Sequence, residues 1–328
     1  MSKKCIGCGT TLQTTNNKEK GYIPEKKYKD SSYCERCFKI IHYNERIVTN
    51  LDNINDYILE EVNKKAKYVY FLVDLLNINK DTMNTFKNIK SPKTLIVSKL
   101  DIIPKSIKNN LITSWLKEEY GIKEPVEFQS SKKNLNTKAL LNKLINQGIK
   151  EVYVLGYTNA GKSTLINLLT EATNQNKITT SSIPNTTIDF IKIKTDDITI
   201  IDSPGFTNTN TIYNPEEFDL IKRVMPRNTL KPVTYQVKPI SSILIEDKIR
   251  ITSSINNSLT FYISNDINIE RVFDNNTNLI NKKEITIKVP ANSDLVIKSL
   301  GFINIKKECT IKIHSDNKEL FEVRKSMF

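Results

Sequence analysis

The chain has 328 residues and a formal net charge of +13, a length that predicts two or three domains. The charge favours an anionic partner such as RNA, although coding bias towards lysine, asparagine and isoleucine would also raise it. The longest apolar run, at residues 68–73, is far shorter than a membrane span. The first residues resemble neither a secretory signal nor a transit peptide, so we expect a soluble, cytoplasmic protein.

Two C-x₂-C pairs lie in residues 1–50, a polar segment with ten Lys or Arg and five acids. The four cysteines are Cys5, Cys8, Cys34 and Cys37, with 25 residues between the pairs. Four thiolates can form a tetrahedral Zn²⁺ site, although this gap is slightly longer than usual. Disulfides are the less favoured alternative in a cytosolic chain. We predict a zinc-finger domain at residues 1–50, in which the metal stabilises the fold.

Apolar strands alternate with helical segments from about residue 51, a pattern typical of a largely parallel sheet. Strands are predicted at residues 67–75, 93–97, 126–129 and 151–155. Helices are predicted at residues 106–120, 137–146 and 162–170. Residues 190–202 predict a hairpin, and short β-rich pieces follow after about residue 225. We therefore predict an α/β domain at residues 51–225 and a mostly-β domain at residues 226–328.

The segment GYTNAGKS, residues 156–163, matches the P-loop pattern between a predicted strand and a predicted helix. Its glycines let backbone N–H groups point at phosphate oxygens, beside the positive end of the helix. We expect Lys162 to contact the β- and γ-phosphates and Ser163 to bind Mg²⁺. An ordinary β–α turn is the disfavoured alternative. The predicted nucleotide-binding residues here are Thr158, Asn159, Ala160, Gly161, Lys162, Ser163 and Thr164.

The sequence DSPG, residues 202–205, ends the predicted hairpin. Asp202 is expected to hold Mg²⁺ through water, and the Gly205 amide to contact the γ-phosphate. The motif alone could be a turn, but its place after the P-loop helix and the hairpin favours a nucleotide switch. Between these motifs, Thr186 and Thr187 offer a hydroxyl that senses the γ-phosphate through the metal, and Thr187 is favoured. The predicted catalytic residues are Lys162, Thr187, Asp202 and Gly205.

The sequence SKLD, residues 98–101, is similar to the N/T-K-x-D element with which GTPases recognise guanine. Asp101 would accept hydrogen bonds from N1 and the exocyclic amine of guanine, and the stem of Lys99 would lie on the base. SSKK follows the next strand, where GTPases carry a loop whose backbone contacts the guanine oxygen, and Ser131 is the matching position. SKLD alone could also be a strand end and a turn. The predicted base-site residues are Ser98, Lys99, Asp101, Ser130, Ser131 and Lys132.

These motifs run in an unusual order, because the base-recognition motif precedes the P-loop and the switch. Joining the ends of a standard GTPase near Gln147 and cutting it after the switch strand gives this order, which is tolerable because domain termini usually lie close together. The chain therefore resembles circularly permuted GTPases and closely resembles the YqeH family of ribosome-assembly GTPases. The segments LKPVTYQV (230–237), LGF (300–302) and VRKS (323–326) extend the resemblance over nearly the whole chain.

The resemblance implies a permuted P-loop GTPase domain with an N-terminal zinc finger and a C-terminal mostly-β domain that binds RNA or the ribosome. It implies hydrolysis of GTP to GDP on the small (30S) ribosomal subunit and its rRNA, and we expect a monomer. Phe206 stands where Ras-like proteins carry a catalytic glutamine. Asn159 matches a position that binds potassium in related GTPases, with a turn residue as the alternative.

Two departures from the family pattern are Ser98, where the family has Asn or Thr, and Asn185, where it usually has Gly. The shorter side chain of Ser98 is expected to loosen the link to the P-loop. DSPG leads directly towards the C-terminal domain, so we expect nucleotide state to change the domain arrangement. A non-catalytic RNA-binding scaffold with a structural nucleotide and an ATPase are the alternatives.

Overall fold

The computed structural model describes residues 3, 11–16, 19, 21–25, 28, 34–35, 54–103, 107–130, 136–173, 179–182, 190–214, 217–273 and 276–328. The chain divides into two compact units, Met1–Ile58 and Leu59–Phe328. In the first unit, Leu12, Ile23 and Cys34 form a small buried cluster, with Tyr28 packed against it. No helix in the described ranges is both long enough and apolar enough to cross a bilayer.

A seven-stranded sheet with the order β3-β2-β1-β4-β7-β6-β5 forms the centre of the α/β part. Its strands are β1 (Val69–Asp74), β2 (Lys93–Ser98), β3 (Val126–Phe128), β4 (Glu151–Gly156), β5 (Thr179–Ser182), β6 (Ile191–Lys194) and β7 (Thr199–Asp202). Pairing is parallel from β3 to β7, whereas β6 and β5 continue the sheet in antiparallel pairs. β1 and β2 are buried along their whole length, as strands covered on both faces must be.

The helices of the described chain are α1 (Ile54–Lys65), α2 (Lys80–Asn88), α3 (Asn109–Tyr120), α4 (Thr137–Asn146), α5 (Lys162–Ala172) and α6 (Phe218–Val224). Short 3₁₀ turns lie at Leu75–Asn77, Leu100–Ile102 and Lys318–Leu320. The predicted strands and the hairpin are confirmed to within two residues, and the predicted helices correspond to α3, α4 and α5. Helices α1 and α2 and strand β5 had no counterpart in the prediction.

Two five-stranded antiparallel sheets follow, with the orders β17-β14-β15-β11-β8 and β12-β9-β10-β16-β13. Their strands are β8 (Val233–Val237), β9 (Ser241–Ile245), β10 (Ile249–Ser253), β11 (Asn257–Ile263), β12 (Ile269–Phe273), β13 (Glu284–Val289), β14 (Ser293–Ile297), β15 (Gly301–Ile305), β16 (Cys309–His314) and β17 (Phe321–Lys325). Along β11, Leu259, Phe261 and Ile263 are buried in alternation and join the core that both sheets share. The predicted mostly-β character of this region is confirmed.

Arg324 of β17 is buried where the β region contacts the α/β sheet region. Its guanidinium donates hydrogen bonds to the Ile78 carbonyl oxygen and, at 3.4 Å, to Asp294. It also lies 4.8 Å from the ring centre of Trp115 and 4.7 Å from that of Phe302, within the range of a cation–π contact. Burial raises the pKa of Asp294, and the charge of Arg324 opposes this rise. One side chain therefore joins both parts of the second unit.

The N-terminal end of α2 receives two further contacts from the β region. Both carboxylate oxygens of Glu322 accept the backbone N–H of Lys80, at 3.0 and 3.2 Å. Lys298 Nζ donates to Asp81 at 2.6 Å. The first N–H groups of a helix have no partner within the helix, so a carboxylate at this position is stabilising. Burial raises the pKa of Glu322, while the hydrogen bond from Lys80 opposes the rise.

Candidate functional site

The predicted P-loop runs from the end of β4 to the start of α5. Its backbone has a positive φ at Gly156 (152°), Asn159 (64°) and Gly161 (94°). A Cβ atom at Gly156 would lie 2.6 Å from the Leu72 carbonyl oxygen of β1, so the close approach of these strands requires glycine. Asparagine tolerates the left-handed region better than most residues. The backbone conformation therefore accounts for Asn159 without a bound cation.

Lys162, the first residue of α5, is 3% exposed. Its Nζ donates to the Gly156 carbonyl oxygen at 3.2 Å, so the ammonium group lies across the loop. Ser163 and Thr164 follow and are exposed at the start of the helix. Helix N–H groups, a buried lysine and accessible hydroxyls together form the kind of site that binds phosphate.

The DSPG segment lies directly beside this loop. Phe206 N donates to the Gly156 carbonyl oxygen at 3.1 Å, and Thr158 N donates to the Phe206 carbonyl oxygen at 2.9 Å. A Cβ atom at Gly205 would lie 3.0 Å from both Lys162 Nζ and Thr158 Cγ2, so Gly205 packs closely against the lysine. Asp202 ends β7 and is in register with Val154 of β4. The structure thus brings Lys162, Asp202 and Gly205 to the carboxyl ends of β4 and β7.

The Phe206 side chain is fully buried. Its ring centre lies 6.1 Å from that of Phe71 and 5.6 Å from that of Tyr157. Burial raises the pKa of Tyr157 above that of an ordinary tyrosine. Because Thr85 Oγ1 donates to the Asp81 carbonyl oxygen, it accepts from Tyr157 Oη at 2.8 Å. The residue after DSPG is therefore part of an aromatic core between the P-loop and α2.

Ser98 links the base-recognition motif to the P-loop. Its hydroxyl donates to the Ala160 carbonyl oxygen at 2.7 Å, and the Val73 carbonyl oxygen lies at 3.2 Å. The close approach of β2 to the loop brings even this short side chain within hydrogen-bonding distance, and the expected loosening relative to Asn or Thr stays a prediction. Segments far apart in the sequence thus meet at the carboxyl ends of the parallel strands.

Asp74, which no motif identified, holds Lys99 in place. Lys99 has a φ of 57° and its Nζ donates to Asp74 Oδ2. Asp74 Oδ1 accepts the Leu76 N–H at 3.0 Å, and the residue is 5% exposed. The only sequence signal for Asp74 is that an acid ends an otherwise apolar strand. Asp101 Oδ1 accepts a hydrogen bond from Ser130 Oγ at 2.7 Å, so the two predicted base loops are in contact.

Some predicted residues lie outside the described ranges. These are Thr187, Ser131, Lys132, Cys5, Cys8 and Cys37. Cys34 is described and is 1% exposed. Within the described ranges, no three His, Cys, Asp or Glu side chains gather as a metal site. Ser163 and Asp202 nevertheless carry oxygen donors of the type that Mg²⁺ prefers, beside a P-loop lysine, so they fit that ion.

A cavity lies where the P-loop, the base-recognition motif and the β region meet. Its lining includes Asp74, Lys99, Thr158, Asn159, Asn208 and Leu300. Asn77 also lines it, and its Oδ1 is buried without a hydrogen-bond partner among the described atoms. The β region therefore forms part of the wall that surrounds the candidate site.

Comparisons with known proteins find a family model and several relatives that match this chain. A family model described as "50S ribosome-binding GTPase" matches residues 151–257. The chain is 31% identical over 247 residues to YqeH of Bacillus subtilis (strain 168), a match that covers 71% of this chain and 67% of YqeH. The family model begins at β4, so it includes the P-loop and DSPG and leaves SKLD upstream.

Two further matches cover smaller shares. Nitric oxide-associated protein 1 of Mus musculus is 28% identical over 116 residues, which is 30% of this chain and 16% of the mouse protein. The crystal structure of YjeQ from Thermotoga maritima is 21% identical with a TM-score of 0.30, and the match covers 44% of this chain and 49% of that chain. Each of these two matches spans less than two thirds of the relative.

Proposed function

This chain belongs to the YqeH family of circularly permuted GTPases, and from this premise we propose that it is an assembly factor for the small (30S) ribosomal subunit. It hydrolyses GTP to GDP and phosphate. The observation that carries the proposed site is the Ser98–Ala160 hydrogen bond, at 2.7 Å, which joins the base-recognition motif to the P-loop. We disfavour the ATPase alternative because Asp101, whose carboxylate would select guanine over adenine, lies in contact with the second base loop.

The proposed phosphate chemistry uses the P-loop and the switch. Lys162 and the N–H groups at the start of α5 bind the β- and γ-phosphate oxygens, and the Gly205 amide contacts the γ-phosphate. Ser163, Asp202 and Thr187 would hold Mg²⁺, which when bound neutralises charge on the phosphate oxygens. The Phe206 side chain has no polar atom that could position a water molecule, so we expect slow hydrolysis by the isolated protein. The positive φ of Asn159 is a sufficient reason for an asparagine at this position, but a potassium ion bound at its side chain would add positive charge beside the phosphates.

The proposed guanine site lies at the carboxyl end of β2. The Asp101 carboxylate accepts hydrogen bonds from N1 and the exocyclic amine of guanine, and adenine offers neither donor. Asp74 positions Lys99 by accepting a hydrogen bond from its Nζ, so that the aliphatic stem of the lysine lies along the base. The backbone of Ser131 contacts the guanine oxygen.

The proposed coupling to the β domain runs through the segment after DSPG. Ile212, Leu220 and Val224 belong to the same buried cluster as the core of the two β sheets. The backbone N–H of Ile212 also donates to Ser299 Oγ at 3.1 Å. A change in the switch is therefore transmitted to the β domain through apolar packing as well as through the covalent chain. We propose that the GTP state favours binding to the subunit and its rRNA in the cytoplasm.

The test is GTP hydrolysis with purified ribosomal subunits. We expect 30S subunits to raise kcat at least about tenfold, because a bound partner can supply the missing transition-state contacts. We also expect co-sedimentation with 30S subunits in a non-hydrolysable GTP analogue and little in GDP. The family model names the 50S subunit, but it matches mainly the nucleotide core. Stimulation by 50S subunits alone would contradict the choice of subunit, and equal co-sedimentation in both nucleotides would contradict the coupling.

A zinc site in residues 1–50 is the final part of the proposal. Its support is the four-cysteine spacing and the burial of Cys34 against Leu12 and Ile23. We expect about one Zn²⁺ per chain by mass spectrometry of the metal content. Cys34→Ser should lose the zinc, whereas Cys309→Ser, which changes a buried cysteine of β16, should keep it. Equal zinc content in both variants would contradict the site.

A further inference from the structure

A short segment between α6 and β8 lies across the base-recognition motif. We call residues 229–231 the strap. Thr229 Oγ1 donates to the Asp101 carbonyl oxygen at 3.1 Å, and the Leu230 N–H donates to the Ile102 carbonyl oxygen at 2.7 Å. The Leu230 side chain is 3% exposed, so the strap is packed as well as hydrogen-bonded. The carbonyl groups of Asp101, the last residue of the motif, and of the following Ile102 are therefore held by residues from far downstream.

The β domain fixes the other side of the strap. Asn265, in the turn between β11 and β12, accepts the Lys231 N–H on Oδ1 at 2.8 Å. The same side chain donates from Nδ2 to the Thr229 carbonyl oxygen at 3.0 Å. One amide thus bonds both ends of the strap, and the strap continues directly into β8. The strap is therefore attached to the β domain, and we expect it to move with that domain.

The remaining contacts of the motif come from the α/β part. Ser130 holds the Asp101 carboxylate, and Leu100 N donates to the Gln129 carbonyl oxygen at 3.3 Å. The motif therefore lies between the second base loop and the strap. Because Asp101 must present its carboxylate edge to the base, the position of its backbone decides how well both hydrogen bonds form.

We propose that the strap is a positioning element for guanine: Thr229 and Leu230 fix the backbone of Asp101 and Ile102, so that the β domain completes the base site. The inference rests on the proposed role of Asp101. The base is common to GDP and GTP, so this link operates whether or not a γ-phosphate is bound. Linkage between two binding equilibria is reciprocal. If the docked strap strengthens base binding by some factor, base binding stabilises the docked strap by the same factor.

Two variants test the strap from opposite sides. Thr229→Val removes the hydroxyl that bonds Asp101, and Asn265→Ala removes the anchor without touching the motif. Each should weaken GDP binding about threefold to tenfold, the range for one neutral hydrogen bond. Inosine diphosphate lacks the exocyclic amine, so its binding should weaken less. Thr234→Val removes a hydroxyl of β8 that bonds Thr260, and it should leave both affinities unchanged.

Hydrogen exchange gives a readout that does not depend on a variant. GDP alone should slow exchange of the Leu230 amide in the unaltered chain. The proposal is overturned if Thr229→Val and Asn265→Ala keep the GDP to inosine diphosphate ratio of the unaltered chain, or if only a GTP analogue protects Leu230. The Asp101→Asn variant distinguishes a failure of the strap inference from a failure of the proposed guanine site. If it alters base preference while the strap variants do not, only the strap inference fails; if it alters nothing, the proposed guanine site fails.

Discussion

Replacing Asp101 with asparagine is expected to lower the affinity for GDP by about 100-fold or more and to favour xanthosine diphosphate instead. Each hydrogen bond to a charged group contributes about 1.5–3 kcal/mol, and guanine offers two donors to this carboxylate. The Ser130 hydroxyl donates to Oδ1 of residue 101, so an asparagine would keep its oxygen there and turn its NH₂ group towards the base. That NH₂ group opposes the donors of guanine and suits the 2-oxo group of xanthine.

Equilibrium titration with fluorescent GDP, and competition with xanthosine diphosphate and ADP, measures this change. Asp196→Asn is the matched control, because Asp196 is exposed in the turn between β6 and β7. We expect it to bind GDP as the unaltered chain does. An unchanged preference for GDP in Asp101→Asn would mean that the base-recognition motif and the P-loop do not act on one nucleotide.

Replacing Arg324 with alanine is expected to lower the free energy of unfolding by about 3–5 kcal/mol, the usual effect of removing one partner of a buried ion pair. The side chains of Arg324 and Asp294 are both 0% exposed. The substitution leaves a buried carboxylate and the Ile78 carbonyl oxygen without this donor, and it removes the packing against Trp115 and Phe302. Because burial already raises the pKa of Asp294, we expect that carboxyl to become protonated more readily in the variant.

Urea unfolding monitored by tryptophan fluorescence suits this test, since Trp115 is the single tryptophan and contacts Arg324. The adjacent Lys325 provides the control, because its ammonium pairs with Glu118 at an exposed position. Such surface pairs contribute little, so Lys325→Ala should unfold at the same urea concentration as the unaltered chain. If Arg324→Ala did so as well, the contacts of Arg324 with Asp294, Ile78 and Trp115 would not stabilise the second unit.

Local periodicity predicted the helices and strands that bury a regular face of apolar side chains. Helix α4 has the predicted bounds, because Leu140, Leu141 and Leu144 fall on one buried face. Helix α2 was missed because its sequence is mainly polar and buries only Thr82, Met83 and Phe86. Its start is stabilised by Glu322, which lies 242 positions away in the sequence. A pattern within nine residues contains no information about that contact.

The same distinction between local pattern and long-range contact applies to the residues of the candidate site. Motif spacing predicted the P-loop, because backbone conformation and phosphate chemistry demand particular residues at fixed separations. It did not predict Asp74 or the strap, because each acts through a partner brought close only by the sheet. The segments LKPVTYQV, LGF and VRKS were noted in the sequence without a physical reason. The structure gives one for two of them, since Leu230 and Arg324 bond the α/β part, and Phe302 of the third packs against Arg324.

The contacts of β17 also bear on how the protein acquires its shape during biosynthesis. Trp115 Nε1 donates to the Lys325 carbonyl oxygen across 210 positions, and Arg324 bonds Ile78 across 246 positions. Translation must therefore pass Lys325 before α2 and α3, made much earlier, gain these partners. Such non-local closure is slow. Until that point a nascent chain lacks the β17 contacts of Trp115 and Ile78.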